Sequence, residues 1–371
     1  MKKIRTASAA PAPRPVNLAA GPGQPTGSAA GGRAKLPDVA RLAGVSTATV
    51  DRVLNRRSSV RQATAQRVLK AAARLEYLPD GELLAAIAPA PMQLAFILPA
   101  GTNRYLRMLG DTVDYARDQW EPFNVHCKVE FIESFDPQAL SKSLLRHGRR
   151  ADGIAFMALE HPTVREAVNV LSERGVATVT LISDLSHSRR SAYVGLDNRA
   201  AGRTAAWLLG RFIGRGPAKV AMIAGSLSYR AHEEREMGFL HLFEEMFPAI
   251  EVVGLREGRD DEQKNRKQTR VLLEQHPDLA GIYNIGGGSD GIARALRECG
   301  RDQEVAFIGH GLTPDTRSLL IDGTMDAVLT QTPQSVIMNC VQIFTNLRDR
   351  KDPLAGVEAN RISVVVRENL P

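Results

Sequence analysis

Residues 36–79 read LPDVARLAGVSTATVDRVLNRRSSVRQATAQRVLKAAARLEYLP, a run whose spacing predicts three short helices with one polar face left over. Pro37, at a first helical position, and Asp38 beside it open the first helix, where a missing N–H costs nothing and an acid is favourable. Val39, Ala40 and Ala43 follow at helical spacing, and Gly44 ends the helix with a sharp turn. Ser46 caps the second helix, and Val50, Val53 and Leu54 form its inward face. Its opposite face carries Thr47, Ala48, Asp51, Arg52 and Asn55. A third helix, from about Gln62 to Leu75, closes a small core through Val68, Leu69, Ala72 and Leu75. A helix, a three-residue turn and a second helix with a polar outer face form the geometry that lays one helix in the major groove of DNA while the other braces it.

Charge agrees with that geometry. Residues 1–80 hold 14 Lys or Arg against 4 Asp or Glu, and the remainder holds 34 against 37, so the whole surplus of +7 comes from the N-terminal part. A basic unit on a slightly acidic body is the footprint of a nucleic-acid binder, because neutralised phosphates release counterions and supply most of the raw affinity. A membrane-surface helix would need a Trp, Phe or Leu face, which this stretch lacks. No apolar run reaches the length of a membrane span and the N-terminus has no apolar core of a signal peptide, so a cytoplasmic protein with no membrane partner is expected. Cys127, Cys299 and Cys340 are far apart and lie in no metal-ligand spacing, so neither a disulfide frame nor a metal site is expected. No cofactor is implied.

At 371 residues the chain is long enough for further domains. Residues 1–33, rich in Ala, Pro, Gly and Ser, are expected to be a disordered tail, and residues 34–80 form the three-helix unit. The Ala/Pro-rich residues 81–91 have the composition of a linker. From Gln93 short apolar runs alternate with amphipathic helices, the pattern of parallel sheets covered on both faces. Strands are expected at 94–98, 125–132, 153–157, 176–182, 192–196, 219–224, 251–255, 281–285, 305–309 and 326–330, with RISVVV near the C-terminus reading as one more. Ten strands would make one very large sheet, so two similar halves meeting at a crevice are the more economical arrangement.

The run DVARLAGVSTATVDRVLN with the terminal LEYLP resembles the DNA-binding domain of the LacI/GalR family of transcription regulators. The resemblance implies that Thr47 and Ala48 choose bases, that Arg52 touches a base or phosphate, and that Thr49, Asn55 and Thr64 position the backbone. Two residues depart from the family pattern. Asp51 stands where Ser is usual, and its carboxylate would repel phosphate; Arg61 stands where the third helix usually has a small cap, and adds a cation. In that family the linker folds as a hinge helix on DNA and wedges a Leu into the minor groove. The usual hinge pattern is absent, leaving Leu83, Leu84 and Ile87 as the available wedges.

The remainder, residues 92–371, resembles the effector domain of the same family, which shares the α/β fold of the periplasmic ribose-binding receptors. That implies a type I periplasmic-binding-protein-like domain of two subdomains with parallel sheets, the first about 92–190 and 331–350, the second about 191–330 and 351–371. It also implies crossings near Arg190 and Gln331 and an effector, a sugar or sugar-like metabolite, between the carboxyl ends of the strands. Matched by position, the effector contacts would be Asn103, Tyr105, Arg235 and Gln331, with Asn284 an imperfect substitute and His310 where an Asp is usual, and Asp184 is a further candidate because it follows the fourth strand. Asp197 and Asn198 fit an N-cap role better than ligand contact. Functionally, the family implies a homodimeric, operator-binding repressor.

Two other readings remain open at this level. GGGSDG places Gly286, Gly288 and Gly291 in the G-x-G-x-x-G spacing of an NAD(P)-binding α/β enzyme, but outside the first strand-to-helix turn and without an acid at the end of the next strand. A cytoplasmic sugar receptor without operator specificity would share the body and not need the basic head.

Overall fold

The computed structural model describes residues 34–55, 60–77, 91–120 and 124–371, and the chain divides into two compact units, residues 1–87 and 88–371. The expected hinge wedges Leu83, Leu84 and Ile87 lie outside the described residues, as does the expected tail.

In the first unit, helices α1 (Leu36–Ala43), α2 (Thr47–Leu54) and α3 (Gln62–Arg74) enclose Val39, Ala40, Val50, Val53, Val68 and Ala72. Gly44 follows α1 with φ 66°, and its N–H bonds back to the carbonyls of Ala40 and Arg41. A side chain there would be held in the left-handed region that L-residues avoid. Ser46 precedes α2, its Oγ accepting from the Thr49 N–H at 3.2 Å. Arg61 precedes α3 and makes no side-chain cap, so α3 begins without the help that Ser46 gives α2.

The second unit has two sheets. The first is ordered β2-β1-β3-β4-β5, all parallel: β1 (Met92–Pro99), β2 (Val125–Ile132), β3 (Gly153–Phe156), β4 (Ala177–Leu181) and β5 (Ala192–Val194). The second is ordered β11-β10-β9-β8-β6-β7. Its strands are β6 (Ala218–Ala224), β7 (Ile250–Glu257), β8 (Leu279–Asn284), β9 (Ala306–His310), β10 (Ala327–Thr330) and β11 (Ser363–Val365), only β11 running antiparallel. All ten expected strands form, with ends shifted by a few residues. β4 stops before Ile182 because that residue turns to φ 63°, a strained value for a β-branched side chain.

Helices cover both faces: α4 (Arg104–Tyr115), α5 (Arg117–Trp120), α6 (Pro137–His147), α7 (Pro162–Glu173), α8 (Asn198–Ile213), α9 (Arg230–Met246), α10 (Glu262–Gln275), α11 (Ser289–Glu298), α12 (Pro314–Ile321) and α13 (Pro333–Arg348). Gapless apolar stretches such as Leu94–Leu98 are buried whole because a parallel sheet is covered on both sides. The chain passes between sheets after β5, after β10, and again between α13, which packs on the first core through Val336, Cys340 and Phe344, and β11.

One boundary differs from expectation. A crossing near Arg190 would place β5 in the second subdomain, yet β5 pairs with β4, Val179 opposite Ala192 and Leu181 opposite Val194. The first crossing therefore falls in residues 195–197. A short apolar run carries no mark of which strand it will bond to.

Candidate functional site

In both sheets the first strand lies between its second and third, so consecutive connections diverge there and leave a gap at the carboxyl ends. A crevice of about 490 Å³ opens at those ends and is lined from both lobes. Residues 102–107 after β1, Met157 and Ile182 come from the first lobe; Asp260, the loop 286–288, His310 and helix α9 come from the second.

The side chains meet through bonds made between lobes. Asn103 caps α4, its Oδ1 accepting from Leu106 N–H, while its Nδ2 donates across the crevice to Asp260 Oδ2 at 2.9 Å. Thr102 Oγ1 donates to the Asp260 carbonyl at 2.7 Å, and Tyr105 Oη donates to the Gln331 carbonyl at 3.0 Å. Arg104 pairs with Asp315 at 2.5 Å. In the second lobe, Arg235 Nε donates to Asn198 Oδ1 and its Nη1 to the Ile285 carbonyl, both at 2.9 Å. Asn198 also donates to Tyr193 Oη, tying the guanidinium to the first crossing, while Asp197 caps α8 through the Ala200 N–H. Tyr283 Oη lies 2.7 Å from His310 Nε2.

Burial sets the charge states. His310 is held well below the ordinary imidazole range, first by desolvation, then by Arg235 and His232. His232 is pushed down to about 4, again mainly by desolvation, with Asp260 opposing. Arg235 is lowered by burial from its ordinary value, and burial raises Tyr105 and Tyr283. Both imidazoles are therefore neutral near pH 7.

Of the residues expected at the effector site, Asn103, Tyr105, Arg235, His310 and Gln331 line this crevice. Two do not. Asp184 is held by Arg190, whose Nη2 donates to Oδ2 at 2.5 Å, by Thr180 Oγ1 at 2.6 Å and by the Leu185 N–H, and it is not on the crevice wall. Its position after a strand end suggests a ligand contact, but the nearby guanidinium turns it into a brace. Asn284 is fully buried behind the wall, its Nδ2 donating to the Gly287 carbonyl and Ser289 Oγ, where it shapes the loop rather than faces the cavity.

Asp260 and His232 line the crevice although nothing in the sequence singles them out. Asp260 sits in RDDE, a run like any solvated loop, and no local signal separates it from Asp261, which caps α10. The glycine loop is explained by packing: Gly287 N–H donates to Asp260 Oδ1 at 2.7 Å, so the amide a pyrophosphate would need is already taken. Gly288 has φ 72°, and a Cβ at Gly291 would strike the Glu262 carbonyl.

On the head, Thr47, Ala48, Arg52 and Asn55 are solvent-exposed or partly so and Asp51 is half-exposed on the same face of α2. Asn55 Nδ2 donates to Asp51 Oδ1 at 2.7 Å, so the carboxylate steers the Asn amide. Thr49 Oγ1 lies 2.9 Å from Ser46 Oγ, part of the cap. Arg61 is exposed and Thr64 half-buried at the start of α3.

Comparison with known proteins agrees with both units. Residues 35–80 match the family model described as bacterial regulatory proteins, lacI family, and residues 99–352 match that of the periplasmic binding protein domain. Catabolite control protein A of Streptococcus mutans is 27% identical over 190 residues, 51% of this chain and 54% of that protein, so the match spans about half the relative's length. The ribose operon repressor of Halalkalibacterium halodurans is 26% identical over 286 residues, 77% of this chain and 79% of the relative. Among solved structures, GanP, a glucose-galactose binding protein from Geobacillus stearothermophilus, superposes with a TM-score of 0.69 at 24% identity, covering 76% of this chain and all of that one, a likeness of fold. Head and body together place the chain in the LacI family of bacterial regulatory proteins, with an effector domain of the periplasmic binding protein type.

Proposed function

We propose that this protein is a sequence-specific transcriptional repressor whose hold on its operator is controlled by a sugar or sugar-like metabolite bound in the crevice. One observation carries the reading: a single chain joins a helix-turn-helix of the LacI type, with its polar α2 face exposed, to a crevice walled by two lobes. A ligand touching both walls binds one closure state better than the other, which is the differential affinity a switch requires. The protein acts without catalysis, in line with the transcriptional regulators among its relatives.

It works in the cytoplasm as a homodimer, because a single head neutralises too few phosphates to hold DNA at cellular salt and two heads on a near-palindrome solve that. Among the described residues no helix is long and apolar enough to cross a membrane. The test pairs a thermal-shift screen of sugars, polyols and sugar acids with operator binding at fixed salt. A compound that stabilises the protein is expected to change operator affinity by a decade or more, as a shift of a few kcal/mol in closure allows. A stabilising compound without effect on DNA binding would refute the switch, and a stable monomer on operator-length DNA would refute the dimer.

A further inference from the structure

We infer that the crevice is built for a polyhydroxylated carboxylic acid, a sugar acid rather than a neutral sugar, with its carboxylate against Arg235 and His310 and a hydroxyl donating to Gln331. The inference rests on the crevice being the effector site.

Arg235 decides the class. Its guanidinium is buried, only 6% exposed, yet its partners are neutral oxygens, Asn198 Oδ1 and the Ile285 carbonyl. Among the described residues no carboxylate comes within ion-pairing distance of it. Asp260 acts on this guanidinium only from beyond ion-pairing distance, so the buried cation has no direct carboxylate partner, and a guanidinium fork on a cavity wall matches a carboxylate in geometry as well as charge.

The acids nearby are committed elsewhere. Asp260 spends Oδ1 on the Gly287 N–H and Oδ2 on Asn103 Nδ2. Glu262, Asp290 and Asp315 each stand in the first turn of a helix, where the helix dipole favours them, and Asp315 is already paired with Arg104.

Two neutral groups complete the pattern. Tyr283 Oη lies 2.7 Å from His310 Nε2, and with the phenol as the donor of that bond the imidazole carries its proton on Nδ1, a donor suited to an acceptor oxygen. Gln331 is 6% exposed and lines the crevice, and among the described residues its Oε1 has no hydrogen-bond partner. An unpaired buried acceptor calls for a donor, which a ligand hydroxyl supplies. The volume of about 490 Å³ is within the range of small-molecule sites and leaves room for a six-carbon acid.

The experiment is calorimetry and thermal shift on the full chain with matched pairs: D-gluconate with D-glucitol, D-galactonate with galactitol, D-glucuronate with D-glucose. At least one acid is expected to bind roughly tenfold or more tightly than its neutral partner. His310→Asp, which places a carboxylate near Arg235, is expected to narrow or reverse that preference. Neutral members binding as tightly as the acids would overturn the inference and leave the crevice standing as a sugar site. Failure of every member to bind would overturn this inference and the effector reading together.

Discussion

At the scale of single residues, a polar side chain is defined by what it is committed to. Asp184 and Gln331 both follow strands, but Asp184 is consumed by Arg190, Thr180 and a backbone N–H, whereas Gln331 keeps an acceptor free on the crevice wall. Asp184→Ala is therefore expected to cost about 1–3 kcal/mol of stability in urea unfolding while leaving effector affinity unchanged. Gln331→Leu should do the opposite, weakening binding with little loss of stability; a parallel loss of affinity in both variants would place Asp184 in the site after all. On the head, Thr47 and Ala48 offer methyl groups suited to thymine, so Arg52 is expected to supply the polar readout. Selection from random DNA with a Thr47/Ala48 double variant should return a different consensus. Arg61→Ala should weaken every sequence alike and lower the salt slope by about one unit for each phosphate that the protein no longer neutralises.

At the scale of elements, α2 depends on what surrounds it. An eight-residue helix is too short to persist alone, so the Ser46 cap and burial of Val50 and Val53 hold it. Ser46→Ala is expected to destabilise the head by about 1 kcal/mol and to reduce DNA affinity without changing the preferred sequence. A changed consensus would mean that Ser46 contacts bases. Gly44→Ala meets no neighbouring atoms, so its cost, about 1–2 kcal/mol, comes from the left-handed backbone alone. The glycine loop before α11 behaves differently, because its small residues let Asp260 and α10 approach.

At the scale of the molecule, contacts between the lobes of the effector domain include Thr102 and Asn103 to Asp260, Arg104 to Asp315, Tyr105 to the Gln331 carbonyl, the Glu160 N–H to the Ser228 carbonyl, and the ring of Phe135 against that of Tyr229. Arg104 is largely exposed, so its pair is worth roughly 0.2–1 kcal/mol, enough to alter the closure equilibrium up to about fivefold. Arg104→Ala should enlarge the radius of gyration of the ligand-free protein in X-ray scattering, and an unchanged value would show that the Arg104–Asp315 pair does not set the closure equilibrium. Beside this pair, Asp290 is raised to about 6 by burial first, then by Asp315 and Glu262. Its folded value thus lies above an unfolded value of about 4, so the folded state binds the extra proton. That contribution is fully present below about pH 4 and is lost as pH rises through about 6. Asp290→Asn should accordingly raise Tm at pH 7.5 more than at pH 4, and equal shifts at both would show that the carboxyl does not titrate there.

What the sequence determined by itself was everything carried by short-range pattern. Helical spacing and the Gly44 and Ser46 signals defined the three-helix head, apolar runs located ten strands, and the basic head against an acidic body pointed to DNA. These follow from interactions among residues a few positions apart, which leave a mark in the order of residues. The tertiary structure alone decided which sheet β5 joins, that Asp184 serves Arg190 and that Asn284 sits behind the wall. It also brought Asp260 to Asn103 across 157 positions of chain. Choices of that kind are settled by competition among many chemically equivalent partners for one donor or one strand edge, and only the folded geometry picks the winner.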